Sequence, residues 1–512
     1  MTAAVMAASM PASAASYTTP IDPSLNYGAW QGWGASLSWW ANVFGMDNTL
    51  ADIFYTTGSV AYHGRSLPGL GLNVVRYNLG ASMTQPAWPG GPSEAVSPNQ
   101  PAYRKIEGYW VNWLSDNPAD TNSWSWWGDS EQRNMVWKAR DRGADVFQVF
   151  SCSPIWWMCN DQNPCGAADG GDNLQSWNYQ QHARYVAIVA QYFREQWGVD
   201  VGSVDPFNEP SAPWWTADGA QEGCHISADL NRPIQQKVIR YLREELDARG
   251  LSDIVIAASD ENSYDQANTT WSNLAALGTQ SLVGQVNVHG YQYTDSGSAR
   301  SALHNNVHAS DRPLWQSEYG EQYEHGLYLA YNLALDLRYL HPTAWCYWQP
   351  VDSQVTDPAT GNNLSWGLLK ATYSNDTTVK SGSLGEPNPC PGTDPYVTNK
   401  YFVLAQYTRH IRPGMQILDS GDPSTVAAYD PGRHRLVLVT VRGNTSQDIT
   451  YDLSRFSAVG SIARRWVTDA DPYYRIARQY ETAPDAPLNG KQLTISFGAN
   501  SIQTIEIDDV WI

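Results

Sequence analysis

The sequence predicts an α/β protein: a (β/α)₈ TIM barrel with an appended all-β sandwich. Between residues 30 and 369, short apolar runs ending in polar or aromatic residues alternate with stretches of helical composition, and eight such runs occur. Residues 380–395 are then rich in Gly, Pro and Ser, and the chain continues in short β-type segments separated by turn residues. About 340 residues for the first part suits a barrel with long loops, since roughly 250 is typical and more than 400 occurs. A doubly wound sheet is the rival arrangement of the same alternation.

In chain order, residues 1–16 are almost wholly Ala, Met, Ser, Thr and Pro, and Ala12 to Ala15 has the small-residue character of a cleavage site. The segment lacks a basic start. It reads as the remnant of a secretory signal peptide, so a secreted, extracellular protein is expected; a plain N-terminal tail is the alternative. The candidate strands are 31–37, 74–79, 146–150, 203–207, 254–259, 285–288, 314–317 and 344–347, with helices predicted over 130–142, 175–197, 232–249 and 326–341. In 232–249, Ile234, Val238, Tyr241, Leu242 and Leu246 form one stripe opposite charged residues, and Gly250 stops the helix. The barrel is assigned to 30–395. Residues 396–512 form the β-domain, with strands at 435–442, 448–453, 461–468, 492–497 and 501–507.

Composition narrows the function. With 32 Lys+Arg against 51 Asp+Glu, the net charge of −19 lacks the basic footprint that nucleic acids and anionic membranes require. No run of about 18 apolar residues is present to span a bilayer. The chain holds 24 Trp and 29 Tyr but only 9 Phe. Preferring rings with a polar handle points to surfaces that are apolar and hydrogen-bonding at once, as sugar-binding clefts are. Six cysteines, Cys152, Cys159, Cys165, Cys224, Cys346 and Cys390, fit an oxidising compartment, and a Cys159–Cys165 disulfide is expected to staple one loop. The other pairings stay open. No cofactor and no metal are expected, because the spacings lack a paired C-x₂-C arrangement.

Chemistry in such a barrel sits at the C-terminal strand ends. Asn208, Glu209 and Pro210 close the fourth run, and Glu318 closes the seventh. Strands four and seven lie on opposite walls, so their carboxylates face each other across the mouth. Glycoside hydrolysis needs such a pair, one protonating the leaving oxygen and the other attacking the anomeric carbon or activating water. Asp260 and Glu261, after the fifth run, are the nearest rivals. His289, in Val-His-Gly-Tyr, is either a sugar contact or a satisfied rim residue.

Here the sequence resembles glycoside hydrolase family 30, within the large clan of retaining (β/α)₈ glycosidases. The likeness rests on Gln31 to Ala41 (QGWGASLSWWA), Leu72 to Gly80 (LNVVRYNLG), Ser153 to Met158 (SPIWWM) and Tyr407 to Gly414 (YTRHIRPG). By its Trp-Gly-x-Ser-Leu-x-Trp-Trp opening it is most similar to the endo-β-1,6-galactanase branch. The resemblance implies Glu209 as acid/base, Glu318 as nucleophile, and residues 17–29 joining the C-terminal strands in the sandwich. It also implies that Arg76 keeps the nucleophile ionised, Asn208 binds the sugar 2-hydroxyl, Tyr291 hydrogen-bonds Glu318, and Trp348 floors the sugar before the scissile bond.

The loops add Trp39, Trp40, Trp88, Trp110, Trp113, Trp124, Trp126, Trp127, Trp156, Trp157, Trp214 and Trp215 near the strand ends. Trp39 and Trp156 are taken as cleft walls for a polysaccharide. The expected protein is a monomeric, retaining endo-β-1,6-galactanase acting on the galactan side chains of arabinogalactan-proteins. An exo-acting β-1,6-galactobiohydrolase, a β-1,6-glucanase or a xylanase of the same family is the alternative, and a non-catalytic carbohydrate-binding protein is the alternative of another class.

Overall fold

A computed structural model describes residues 16–84, 90–356, 363–387 and 393–512, without the side chains of 354–356 and 363–364. The expected leader, apart from Ser16, lies outside the described residues, as do Trp88 and Cys390. Eight parallel strands, Gly32–Ser36, Val74–Asn78, Val146–Phe150, Val201–Asp205, Val255–Glu261, Gln285–His289, Leu314–Tyr319 and Ala344–Tyr347, close into a barrel in sequential order. These are the eight predicted runs, with no end displaced by more than two residues. The helices Asn48–Tyr55, Ser130–Arg140, Tyr179–Glu195, Ile234–Ala248, Tyr264–Ala276, Ser298–His308, Leu327–Leu335 and Asn399–Thr408 follow the strands in turn.

Period-two alternation decides what each strand shows to the lumen. In the second strand Val75 and Tyr77 join the large cluster shared with the helices. Val74 instead meets Trp315, Ala344 and Cys346 in a separate apolar plug near the strands' N-terminal ends. Gly34 sits beside it, where an added Cβ would lie 2.5 Å from the Val74 carbonyl oxygen and 2.9 Å from Cys346 Sγ. Above the plug the lumen turns polar. Gln148 donates to Ser203 Oγ at 2.9 Å, and Asn287 donates to Gln148 Oε1 at 3.0 Å and to Asp205 Oδ2 at 3.1 Å. Every group in this network is buried, so each must be satisfied by its neighbours.

The appended domain is a two-sheet sandwich. Its seven-stranded sheet runs Asp22–Ala29, Gln416–Asp419, Thr425–Asp430, Arg435–Arg442, Ser501–Ile507, Ile462–Asp469, Glu481–Pro487. Its three-stranded sheet runs Tyr17–Pro20, Gln447–Asp452, Gln492–Phe497. Residues 17–29 therefore supply one strand to each sheet. Along Arg435–Arg442, Leu436 and Leu438 pack between the sheets with Ile449, Tyr451 and Ile495. Val437, Val439 and Val441 face the other way and join the barrel's cluster. One strand thus serves two cores.

The helix Asn399–Thr408, which the sequence reading assigned to the β-domain, is the eighth barrel helix, and all ten of its residues are buried. It packs against Leu327–Leu335 on one side and against Ile462–Asp469 and Ser501–Ile507 on the other. The reading also missed the helices at Asn48–Tyr55, Tyr264–Ala276 and Ser298–His308 and a four-stranded sheet between Val351 and Leu384. Tyr264–Ala276 buries only Tyr264, Ala267, Thr270, Trp271 and Leu274, an apolar stripe too thin to stand out against its polar residues.

The expected Cys159–Cys165 disulfide is not formed. All five described cysteines are buried free thiols. Asn163 braces that loop in its place: its Oδ1 accepts the Cys165 amide at 2.9 Å, its Nδ2 donates to the Ala217 carbonyl at 2.7 Å, and its own carbonyl accepts Asn173 Nδ2 at 2.8 Å. Among the described residues no helix is long and apolar enough to cross a membrane.

Trp33 joins the barrel base to the segment leading into the sandwich: it is 1 % exposed, packs its ring tilted against Trp30 at 4.5 Å, and donates its indole N–H to the Ile411 carbonyl at 2.7 Å. Trp33→Ala should destabilise the protein by about 3–5 kcal/mol in denaturant unfolding. A loss below about 1 kcal/mol would contradict this packing.

Candidate active site

Glu209 stands on the loop after the fourth strand in a left-handed conformation, φ 46°. Its amide donates to the Asp260 carbonyl at 2.8 Å, and its own carbonyl accepts the Trp215 indole N–H at 2.9 Å. These bonds fix a backbone geometry that a non-glycine residue rarely adopts. Glu318 lies within the seventh strand. A carboxylate oxygen of each glutamate and a ring nitrogen of His289 all lie within 4.8 Å of one another.

Register shifts aim the surrounding groups. Between the fifth and sixth strands Ser259 pairs with Asn287 but Glu261 pairs with Val288, leaving Asp260 as an extra residue with φ 57°. Between the sixth and seventh, Val288 pairs with Gln316 and His289 with Glu318, leaving Ser317 extra. Both are bulges, which turn a side chain out of the strand's regular alternation. Asp260 and Ser317 are thereby hydrogen-bonded to each other inside the barrel mouth.

Asp260 is the hub. It is ion-paired with Arg76, and its Oδ1 lies 3.3 Å from His289 Nε2. Burial alone would raise its pKa, but Arg76, His289 and Ser317 hold it below the usual carboxylate range. Arg76 is fully buried over the Phe150 ring at 4.1 Å, and it donates to Gln148 Oε1 at 3.1 Å and to Glu318 Oε2 at 3.3 Å. Tyr291 donates its hydroxyl to Glu318 Oε1 at 2.8 Å. Asn262 donates to Glu209 Oε1 at 2.8 Å, and His289 Nδ1 lies 2.9 Å from that oxygen and 3.4 Å from Glu318 Oε1.

Burial opposes a charge on His289, but Glu318 and Asp260 push its pKa up to about 10, so the ring is an imidazolium at neutral pH. Burial pushes Glu318 up to about 7; the charges of Glu209 and Asp260 add to this, while His289 and Arg76 oppose it. The Glu209 charge, this close, is one of the causes that make ionising Glu318 harder than in water. Glu209, His289 and Glu318 have the spacing of a metal triad, but a protonated histidine offers no lone pair. The carboxylates are already bonded to Asn262, Tyr291 and Arg76, and the donor set fits a hydrogen-bonded acid pair better than a cation.

The arrangement can protonate one oxygen while presenting a carboxylate nucleophile a few ångströms away. Carboxyl groups about 5–5.5 Å apart allow direct attack on an anomeric carbon, whereas about 6.5–9.5 Å leaves room for an intervening water. One oxygen of each carboxylate lies within 4.8 Å of one of the other, near enough for both groups to act on a single bond.

Other expected site residues divide. Asn208 is buried beside Glu209, and its Oδ1 has no partner among the described residues. Trp348 is half-buried and meets Trp39 edge to face at 5.1 Å, while Trp39 itself is 4 % exposed. Trp156, expected on the cleft wall, lies in the core at 1 % exposure. Most of the expected cleft tryptophans do the same: Trp40, Trp110, Trp124, Trp157 and Trp215 are buried, while among the described members of that set Trp113, Trp127 and Trp214 present large exposed faces. Glu261 bonds Ser211 and Thr270, away from the acid pair. Sequence reasoning missed Asn262, Gln148 and Ser317; Asn262 follows the fifth run directly and was within reach of a search at strand ends.

A closed parallel barrel carrying a buried, hydrogen-bonded glutamate pair at its C-terminal mouth defines a glycoside hydrolase. A family model described as "O-Glycosyl hydrolase family 30" matches residues 17–357, and the chain belongs to that family. It is 42 % identical over 496 residues, 96 % of this chain and 95 % of the relative, to the endo-β-1,6-galactanase of Hypocrea rufa. The exo-β-1,6-galactobiohydrolase of Bifidobacterium longum is 23 % identical over a match covering 85 % of this chain and 35 % of that protein. Among solved structures, the catalytic domain of the family 30 xylanase C from Talaromyces cellulolyticus superposes with a TM-score of 0.63 at 18 % identity, covering 96 % of this chain and 100 % of that one.

Asp260→Ala would leave Arg76 and His289 as under-compensated buried charges. It should cost about 3–5 kcal/mol in thermal or denaturant unfolding, against little change for the exposed Asp200→Ala; equal effects would show that Asp260 is not the hub.

Proposed function

We propose that this protein is a secreted, retaining endo-β-1,6-galactanase that cuts the galactan side chains of arabinogalactan-proteins as a monomer. The observation that carries the reaction type is the Glu209–Glu318 pair, with oxygens within 4.8 Å at opposite walls of the mouth. The 42 % identity across 96 % of the chain to the Hypocrea rufa endo-β-1,6-galactanase supports the substrate class. The small-residue run at Ala12 to Ala15 supports secretion.

In the first step Glu318 attacks the anomeric carbon of the galactosyl unit as the bond from that carbon to the glycosidic oxygen breaks, and Glu209 gives its proton to the departing oxygen. Glu318 is then an uncharged ester, held by its hydrogen bonds from Tyr291 and Arg76. In the second step Glu209, now a carboxylate, takes a proton from water, whose oxygen attacks the same carbon and frees Glu318 with configuration retained. The imidazolium of His289, between both acids, stabilises whichever carboxylate is ionised at each stage. Asn208, with its unpartnered Oδ1, accepts a hydrogen bond from the sugar 2-hydroxyl, and Trp348, backed by Trp39, receives the apolar face of the ring.

Glu318→Gln and Glu209→Gln should each lower kcat on β-1,6-galactan by about a thousandfold or more without loss of fold. Activity near the parent level in either variant would remove the assigned roles and leave the carbohydrate-binding alternative. Glu318 must be ionised to attack, and burial raises it to about 7, so kcat/KM of the parent enzyme should fall as pH drops through about 7; a profile flat down to pH 5 would contradict that shift. Incubation with β-1,6-galactan, β-1,3-galactan, β-1,6-glucan and xylan should give an oligosaccharide ladder from the first alone. Disaccharide as the sole early product would instead favour the exo-acting reading suggested by the Bifidobacterium relative.

A further inference from the structure

The loops after the second and third strands carry aromatic residues that the acid pair does not use. Trp110, Trp124 and Trp126 stack in sequence at centroid distances of 4.9 and 5.2 Å, and Trp126 stacks on Tyr192 at 3.5 Å. The loop itself satisfies their indole N–H groups: Trp110 and Trp124 both donate to the Ser115 carbonyl, and Trp126 donates to the Pro118 carbonyl. This ladder is a rigid floor. Above it lie two adjoining grooves of about 760 and 1040 Å³ that share Leu114 in their walls.

The first groove is bordered by Trp113 and Trp177, which are 48 and 70 % exposed, with Gln175, Asn178 and Gln181 among its lining residues. The second carries Trp127, 89 % exposed, beside the exposed Asn122. The indoles of Trp177 and Trp127, held this far into water, leave apolar surface that a bound ligand would cover. The oxygen Oε1 of Gln181 is buried without a partner among the described residues.

Charge narrows the ligand. Arg184 is paired with Asp116 at 2.6 Å and with Glu245 at 3.0 Å. Arg133 spends its guanidinium on the carbonyls of Trp126 and Gly128 at 2.8 and 2.9 Å. The grooves therefore present an ion-paired Arg184, an Arg133 that is only 7 % exposed and capped by backbone carbonyls, flat indoles and amides, which suit a neutral chain with alternating apolar faces and hydroxyl edges. A nucleic acid or an acidic peptide would find, of the two arginines named, one paired with carboxylates and one almost wholly buried.

We propose that the two grooves form one secondary, non-catalytic track for an uncharged galactan chain, running from the rim of the catalytic face at Trp177 and Trp113 over Leu114 to Trp127. The choice of galactan rests on the galactanase reading above. The track holds a long substrate near the cleft and raises its local concentration at the acid pair, so its effect grows with chain length.

The test uses the full chain. In the inactive Glu318→Gln background, affinity electrophoresis in gels containing long β-1,6-galactan compares the parent with Trp113→Ala/Trp177→Ala and with Trp127→Ala. Two stacked rings at about 1 kcal/mol each predict a loss of about tenfold or more in apparent affinity for the double variant, and a smaller loss for Trp127→Ala. In the active background the same variants should keep the parent's kcat/KM on a galactotrioside within about twofold and lose activity only on long galactan, with unchanged Tm. Equal retardation of parent and variants would overturn the track, as would an equal loss on the galactotrioside. Retardation by xylan or β-1,6-glucan alone, abolished by the same substitutions, would keep the track as a glycan site and overturn the galactan assignment.

Discussion

The structure turns on the buried ion pair between Arg76 and Asp260, both with side chains fully removed from solvent. A charge in the lumen of a closed barrel is tolerated only if every neighbour answers it. Arg76 reaches Gln148, Asp260 and Glu318; Asp260 reaches Arg76, Ser317 and the neighbourhood of His289; and the Asp260 carbonyl receives the Glu209 amide. The residue that balances the charges thus also fixes the loop carrying Glu209. Electrostatics and backbone geometry meet at one position, so the same residue sets both the charge balance and the separation of the acids.

The second constraint is the distribution of apolar surface. The barrel has an apolar plug below and a polar network above, and the sandwich has its own core, yet Val437, Val439 and Val441 belong to the barrel's cluster while Leu436 and Leu438 belong to the sandwich. Alternation along one strand divides its side chains between two cores. Residues 17–29 close the same sandwich from the other end of the chain.

How far the sequence carries is clearest at particular residues. The eight apolar runs were legible because barrel strands are buried on both faces and show near-continuous Val, Ile, Phe and Leu. Glu209 and Glu318 followed from standing at the ends of two of them, and Arg76 and Tyr291 from the family resemblance. Asp260 was legible only as a rival acid and Ser317 not at all, because their directions depend on bulges that have no sequence signature. The indoles divide for a different reason: Trp156 and Trp113 look alike in composition, and only the packing of long loops decides which one reaches solvent. The thiols at 159 and 165 show the limit of spacing arguments, since an asparagine between them braces the loop.

The helix Asn399–Thr408 has no face left for water, being pressed between the barrel helix Leu327–Leu335 and two strands of the sandwich. A barrel excised at its last strand would lack its eighth helix, and a sandwich expressed alone would expose the valine face of Arg435–Arg442. The two architectures are therefore not separable modules. They would melt in one transition, and any chimera with a relative must exchange the helix together with both of its partners.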